Sequence, residues 1–107
     1  MLLILCSGFA QRLDPVKWSL SVEPSAAPPG ATLLARLTAR IDPGWHLYSL
    51  STPAGPIPTT LRVEASPEVA RFQVYQPSPK VNFDQNFKLD TETYEKEAVF
   101  IVNVDVA

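Results

Sequence analysis

Few side chains in this sequence can do chemistry. His46 is the one histidine and Cys6 the one cysteine. A structural zinc needs four ligands of the His, Cys or carboxylate type, and a Ser or Cys nucleophile needs a histidine base held in place by a third group. One of each does not fill those sets, so no metal, no cofactor and no catalytic residue is expected. The carboxylates Asp84, Asp90, Glu92 and Glu95 lie close together in sequence. Paired-acid catalysis would need two of them fixed across a cleft, whereas a solvated polar loop needs nothing more, and the loop is the reading adopted. No Gly-rich phosphate cradle and no Gly-x-Ser-x-Gly elbow is present. A single cysteine also rules out an intrachain disulfide.

His46 sits in the stretch Asp42-Pro43-Gly44-Trp45-His46-Leu47-Tyr48. Asp-Pro-Gly is turn chemistry, since proline presets a negative φ and glycine tolerates a positive one. The bulky residues that follow suit a half-buried strand. Alternation puts Trp45 and Leu47 on one face, toward a core, and His46 and Tyr48 on the other, as a polar-tipped aromatic surface.

The elements that must hold this stretch are short strands. Eleven prolines, four glycines and many Val, Leu, Thr and aromatic residues favour strands joined by stiff loops, so the chain is predicted to be all-β. Its 107 residues allow one domain with one core. The net charge of −2 is spread among mixed acids and bases. That leaves no basic stripe for phosphates, and nucleic-acid binding is not expected.

Clean alternation predicts a strand over 16–22, with Val16, Trp18, Leu20 and Val22 inward. A second runs from Ala31 to Ile41 with Leu33, Ala35, Leu37, Ala39 and Ile41 on one side. Residues 51–58, with three prolines, form a crossover loop. Further strands are predicted at 59–64, with Leu61 and Val63 inward, and at 71–75. Between Lys80 and Thr93 no period emerges, and the segment reads as a long polar loop bearing Val81, Phe83 and Phe87. Ala98, Phe100, Val102, Val104 and Val106 then make one continuous apolar face. That last strand is expected to be central, which requires neighbours on both sides.

Residues 1–10 contain an apolar run followed by Gly8-Phe9-Ala10 and read as the remnant of a secretory signal peptide. Residues 11–107 are then the domain. No stretch approaches the ~20 apolar residues of a membrane-spanning helix.

Gly44-Trp45-His46-Leu47-Tyr48, the run from Phe87 through Tyr94 and the apolar strand after it resemble the N-terminal periplasmic domain of the thiol:disulfide interchange protein DsbD family. The resemblance runs from about Val16 to the end. It implies an immunoglobulin-like antiparallel β-sandwich, here lacking its last strands, exported to the periplasm. It implies that the full-length protein passes electrons from a thioredoxin-like domain to oxidised periplasmic proteins, in cytochrome c maturation or disulfide correction. Thioredoxin-like domains and periplasmic thiol-disulfide proteins are the implied partners, and any membrane attachment comes through the rest of a full-length protein. The loop after Lys80 looks like the family's cap loop, with Phe87 as the matching aromatic, counted back from Tyr94. Lys88-Leu89 stands where the family has an aromatic-Gly pair, which makes Phe83 a second candidate. Tyr48 and His46 match the strand that walls the cysteine site. The cysteines themselves follow the strand matched by Ala98 to Val106, so this sequence is expected to stop short of them. The competing reading is a non-catalytic immunoglobulin-like module that binds a partner through a sheet edge or the Phe83/Phe87 loop.

Overall fold

A computed structural model describes residues 4–7 and 15–107. Among the described residues, nine strands occur in the order β1 (Ile4–Ser7), β2 (Val16–Glu23), β3 (Thr32–Ile41), β4 (Leu47–Tyr48), β5 (Thr60–Val63), β6 (Val69–Tyr75), β7 (Lys80–Asp84), β8 (Leu89–Tyr94) and β9 (Glu97–Val106). The described residues contain no helix. A four-stranded sheet in the order β2-β3-β9-β6 faces a three-stranded sheet in the order β4-β8-β7, and β1 pairs with β5. Every pairing is antiparallel. This is the expected all-β, immunoglobulin-like sandwich. Of the leader, residues 1–3 and 8–10 lie outside the described residues, and residues 4–7 form β1.

Alternation builds the core. Ala35, Leu37, Ala39 and Ile41 of β3 and Ala98, Phe100, Val102 and Val104 of β9 are all buried, and adjacent strands stack them in register. Leu47, Tyr94 and Val63 are buried against them. Phe100 lies at the centre. Its ring meets Tyr94 edge to face at 5.6 Å and Trp18 in a tilted contact at 6.1 Å. Aromatic pairs of this kind add roughly 0.5–1.5 kcal/mol beyond the area they bury. β9 is central as expected, and β3 and β6 supply its two neighbours.

Three expectations need correction. Residues 80–93 are not a structureless loop: they form the hairpin of β7 and β8. β7 is an edge strand exposed along almost its whole length, and its alternation of Val81 and Phe83 against Lys80, Asn82 and Asp84 spans only five residues. The aromatic stretch after Gly44 pairs only through Leu47 and Tyr48, opposite Tyr94 and Thr93. Leu20 does share the inner face with Leu37, yet it is 50% exposed, because β2 is an edge strand and the facing sheet does not reach over it.

Candidate functional site

The Asp42–Gly44 turn sets the geometry of one wall. Trp45 N–H donates to the Asp42 carbonyl at 3.1 Å, and Gly44 takes φ +84°, a conformation open to glycine at no steric cost. The chain leaves the turn with Trp45 packed on the core and Leu47 fully buried. His46 and Tyr48 point the other way and meet edge to face, ring centroids 5.1 Å apart. The alternation read from the sequence holds for His46, Leu47 and Tyr48, whereas Trp45 packs on the core and also borders the groove that His46 and Tyr48 line. Burial raises the Tyr48 phenol above its ordinary value, and the negative charge of Asp84 raises it further.

The opposite wall comes from the crossover loop and the tip of the β7–β8 hairpin. Asp84 shapes that tip: its Oδ1 accepts from the backbone N–H of Asn86 at 2.8 Å and of Phe87 at 3.2 Å. Lys88 N–H closes the turn onto the Asp84 carbonyl at 2.7 Å, with Lys88 itself at φ +56°. This locks Phe87 at the apex, where its ring lies on Gly55. A Cβ at residue 55 would stand 3.0 Å from Phe87 Cδ1. Glycine suits this position because a φ of +133° is strained for any residue with a Cβ, and a Cβ would also make the Phe87 ring give way.

Between the walls runs an open, largely apolar groove of about 640 Å³, lined by Trp45, His46, Tyr48, Ile57 and Phe87, with Gly44, Gly55 and Pro56 at its floor and margins. Ile57 is 75% exposed and Phe87 40%. Three of the four residues singled out from the sequence, His46, Tyr48 and Phe87, therefore line one groove. Phe83 stands apart on β7, on the face it shares with Asp90 and outside the groove.

Sequence reasoning did not find a polar network that braces this groove from behind. Ser49 and Ser51 hydroxyls both donate to Glu92 Oε1 at 2.7 Å. Gln76 Nε2 donates to Ser51 Oγ at 2.8 Å, while Gln76 Oε1 accepts from Leu50 N–H at 3.0 Å. Tyr94 donates its hydroxyl to the Pro77 carbonyl at 2.6 Å. Glu92 N–H donates to Thr52 Oγ1 at 3.0 Å. The network ties the start of the crossover loop to β8 and to the β6–β7 connection. Its effect on ionisation runs both ways. The Ser51 and Ser49 hydroxyls hold the Glu92 carboxyl below its ordinary value, and burial pushes the Tyr94 phenol up to about 12. No spacing rule points to these residues, because they come from three separate segments.

The groove offers one imidazole, one phenol and apolar surface. It carries no nucleophile and no acid pair, and among the described residues no three His, Cys, Asp or Glu side chains are grouped to hold a metal ion. A concave apolar surface with two polar tips is of a shape and polarity that can seat an aromatic or aliphatic side chain.

A family model described as thiol:disulfide interchange protein DsbD, N-terminal, matches residues 16–107. No curated protein and no solved structure matches the chain.

Proposed function

The chain belongs to the family of DsbD N-terminal domains, and from that membership we propose that its groove is the seat of a thiol-disulfide partner, with Phe87 as the cap and Tyr48 and His46 as the wall. A domain of this family is of the periplasmic type and belongs to a protein that interchanges thiols and disulfides with redox partners. In the proposed reading the full-length protein is exported to the periplasm. It accepts two electrons from a thioredoxin-like domain and hands them to oxidised periplasmic proteins, in cytochrome c maturation or disulfide correction.

The observation that carries this reading is the convergence of His46, Tyr48 and Phe87 on one groove. They come from two stretches that the crossover loop and the three strands β5, β6 and β7 keep apart in sequence. Phe87 resting on Gly55 is the closed position of a cap. Half-exposed and held by one hairpin turn, it can leave without disturbing the core.

Exchange proceeds when a thiolate attacks one sulfur of a disulfide, forms a mixed disulfide and releases the other sulfur as a thiolate, and a second thiol then resolves the link. One cysteine, Cys6, does not make a pair. The proposal keeps the pair where the resemblance puts it, on a hairpin after β9 in the full-length protein. There, the Tyr48 hydroxyl would donate to a thiolate and favour its charged form.

The test uses protein that includes the segment after β9. Two closely spaced cysteines are expected in that segment, and Phe87→Ala is expected to speed reduction of their disulfide by a small thiol, because the cap is gone. A segment without cysteines, or an unchanged reduction rate, would overturn the relay. The single cysteine of this chain favours one other reading, a non-catalytic immunoglobulin-like module that uses the same groove for binding alone. Partner binding that maps to the groove with no thiol requirement would select it.

A further inference from the structure

We propose that the free edge of β7 is a self-complementary surface on which a second copy of this chain pairs, joining two three-stranded sheets into one of six strands. The proposal is independent of the redox reading.

β7 ends the order β4-β8-β7, so the outer side of Lys80–Asp84 has no strand partner among the described residues. An open edge of this kind templates another strand unless it is blunted by very short length, by charge, especially lysine, by proline or by a bulge, and the one lysine here, Lys80, is offset by Asp84 at the other end of the strand. β7 contains no proline and pairs with β8 without a register shift. Val81 and Phe83 share one face, opposite Glu92 and Asp90, and each is 58% exposed. Two large apolar side chains kept this wet on adjacent same-face positions are a surface awaiting cover.

The sequence of the strand identifies what covers it. Lys80-Val81-Asn82-Phe83-Asp84 reads as its own antiparallel complement about Asn82. With a two-fold axis at Asn82, Lys80 stands opposite Asp84 of the second copy and Val81 opposite Phe83. Asn82 stands opposite itself. Directly opposed residues share a face, so one face gathers two Val and two Phe side chains while the other carries two opposite-charge pairs and an amide pair. A two-fold interface needs this match of residue i with j and j with i.

The other edges of the two larger sheets fit less well. On β6, Arg71 is already paired with Asp105 at 2.9 Å within the chain. β2 has a similar palindrome about Leu20, but Trp18 and Val22, which would meet across its axis, are already packed against this chain's own core. Five residues a side place the β7 contact at the small end of specific interfaces, so the dimer is weak and concentration-dependent.

Sedimentation velocity across a wide dilution series, starting at millimolar protein, tests it. The chain is expected to shift from dimer to monomer on dilution. Lys80→Glu and Phe83→Lys, both at exposed positions, are each expected to abolish the dimer at every concentration while leaving the circular dichroism unchanged. On a Cys6→Ser background, Asn82→Cys is expected to cross-link to dimer under mild oxidation, whereas Lys80→Cys is not. A monomer at all concentrations would overturn the proposal. So would a dimer indifferent to both charge variants, or one abolished by Leu20→Lys instead.

Discussion

At the scale of single residues, Tyr94 links the core to the polar network, and its ionisation makes that link measurable. Its ring packs on Phe100, and its hydroxyl donates to the Pro77 carbonyl. A phenolate there would be desolvated and would face the negative charge of Glu92, which is why the folded value stands near 12 against an ordinary 10.0. A folded value above the unfolded one means the stabilisation is complete below about pH 10 and is lost as pH rises through about 12. Tyr94→Phe is therefore expected to cost about 1–2 kcal/mol at neutral pH, the worth of the hydrogen bond and its stranded acceptor, and to remove the steepest part of the alkaline fall. Chemical denaturation at neutral and alkaline pH measures both. Glu92 works in the opposite sense. Its folded value is lowered, so the Ser49–Ser51 clamp stabilises above the ordinary carboxylate value and fades as pH falls through the lowered one. Glu92→Gln is expected to flatten the acid limb of the stability profile. Gly55→Ala acts on the cap. The new methyl meets the Phe87 ring, and a φ of +133° is strained for any residue with a Cβ. The ring is expected to leave the groove, seen as loss of nuclear Overhauser contacts between residue 55 and Phe87.

At the scale of elements, the long strands were legible and the hairpin was not, for the same physical reason. β3 and β9 are central with one dry inner face, so Ala35, Leu37 and Ala39 alternate against Arg36, Thr38 and Arg40. β7 is wet on both faces, and its alternation of Val81 and Phe83 against Lys80, Asn82 and Asp84 is only five residues long. Its turn is equally quiet. The left-handed residue is Lys88, where glycine or asparagine would have advertised a hairpin. The signal that was present lay in Asp84, whose carboxylate accepts from two backbone N–H groups and takes the place of glycine in organising the turn. The candidate site was partly legible through the alternation of His46 and Tyr48. Its far wall was not, because Gly55 and Ile57 act through a contact made across the fold. Asp84→Ala is accordingly expected to cost about 1 kcal/mol, as loss of a capping side chain does, and to do so locally. Amide exchange should quicken through β7 and the 85–88 turn while β3 and β9 stay protected. Uniformly quicker exchange would mean that the hairpin is not a separate unit.

At the scale of the whole molecule, the question is how a groove built from loops and a hairpin tip keeps its shape. The two main sheets share no ladder, and the tie between them is side-chain packing around Phe100. That ring stands on β9 in the larger sheet and reaches Tyr94 on β8 in the smaller one, and Tyr94 is the register partner of Leu47. Leu47 is fully buried and is followed directly by Tyr48. The position of the groove wall is thus set three contacts away, in the middle of the sandwich. Phe100→Ala is expected to cost about 3–5 kcal/mol, the usual range for emptying a buried phenylalanine site, which is a large share of the ~5–15 kcal/mol a domain has in hand. Phe100→Leu should cost less, since it leaves a smaller void. If the wall is held through the core, Phe100→Leu should also weaken the His46–Tyr48 ring contact, read as relaxed ring-current shifts in a chain that is still folded. A destabilised protein with unchanged ring-current shifts would show that the Asp42–Gly44 turn holds the wall without help from the core. The cap places no such demand on the interior: Phe87 rests on Gly55 at the surface, so its movement is separated from the packing that keeps the two sheets together.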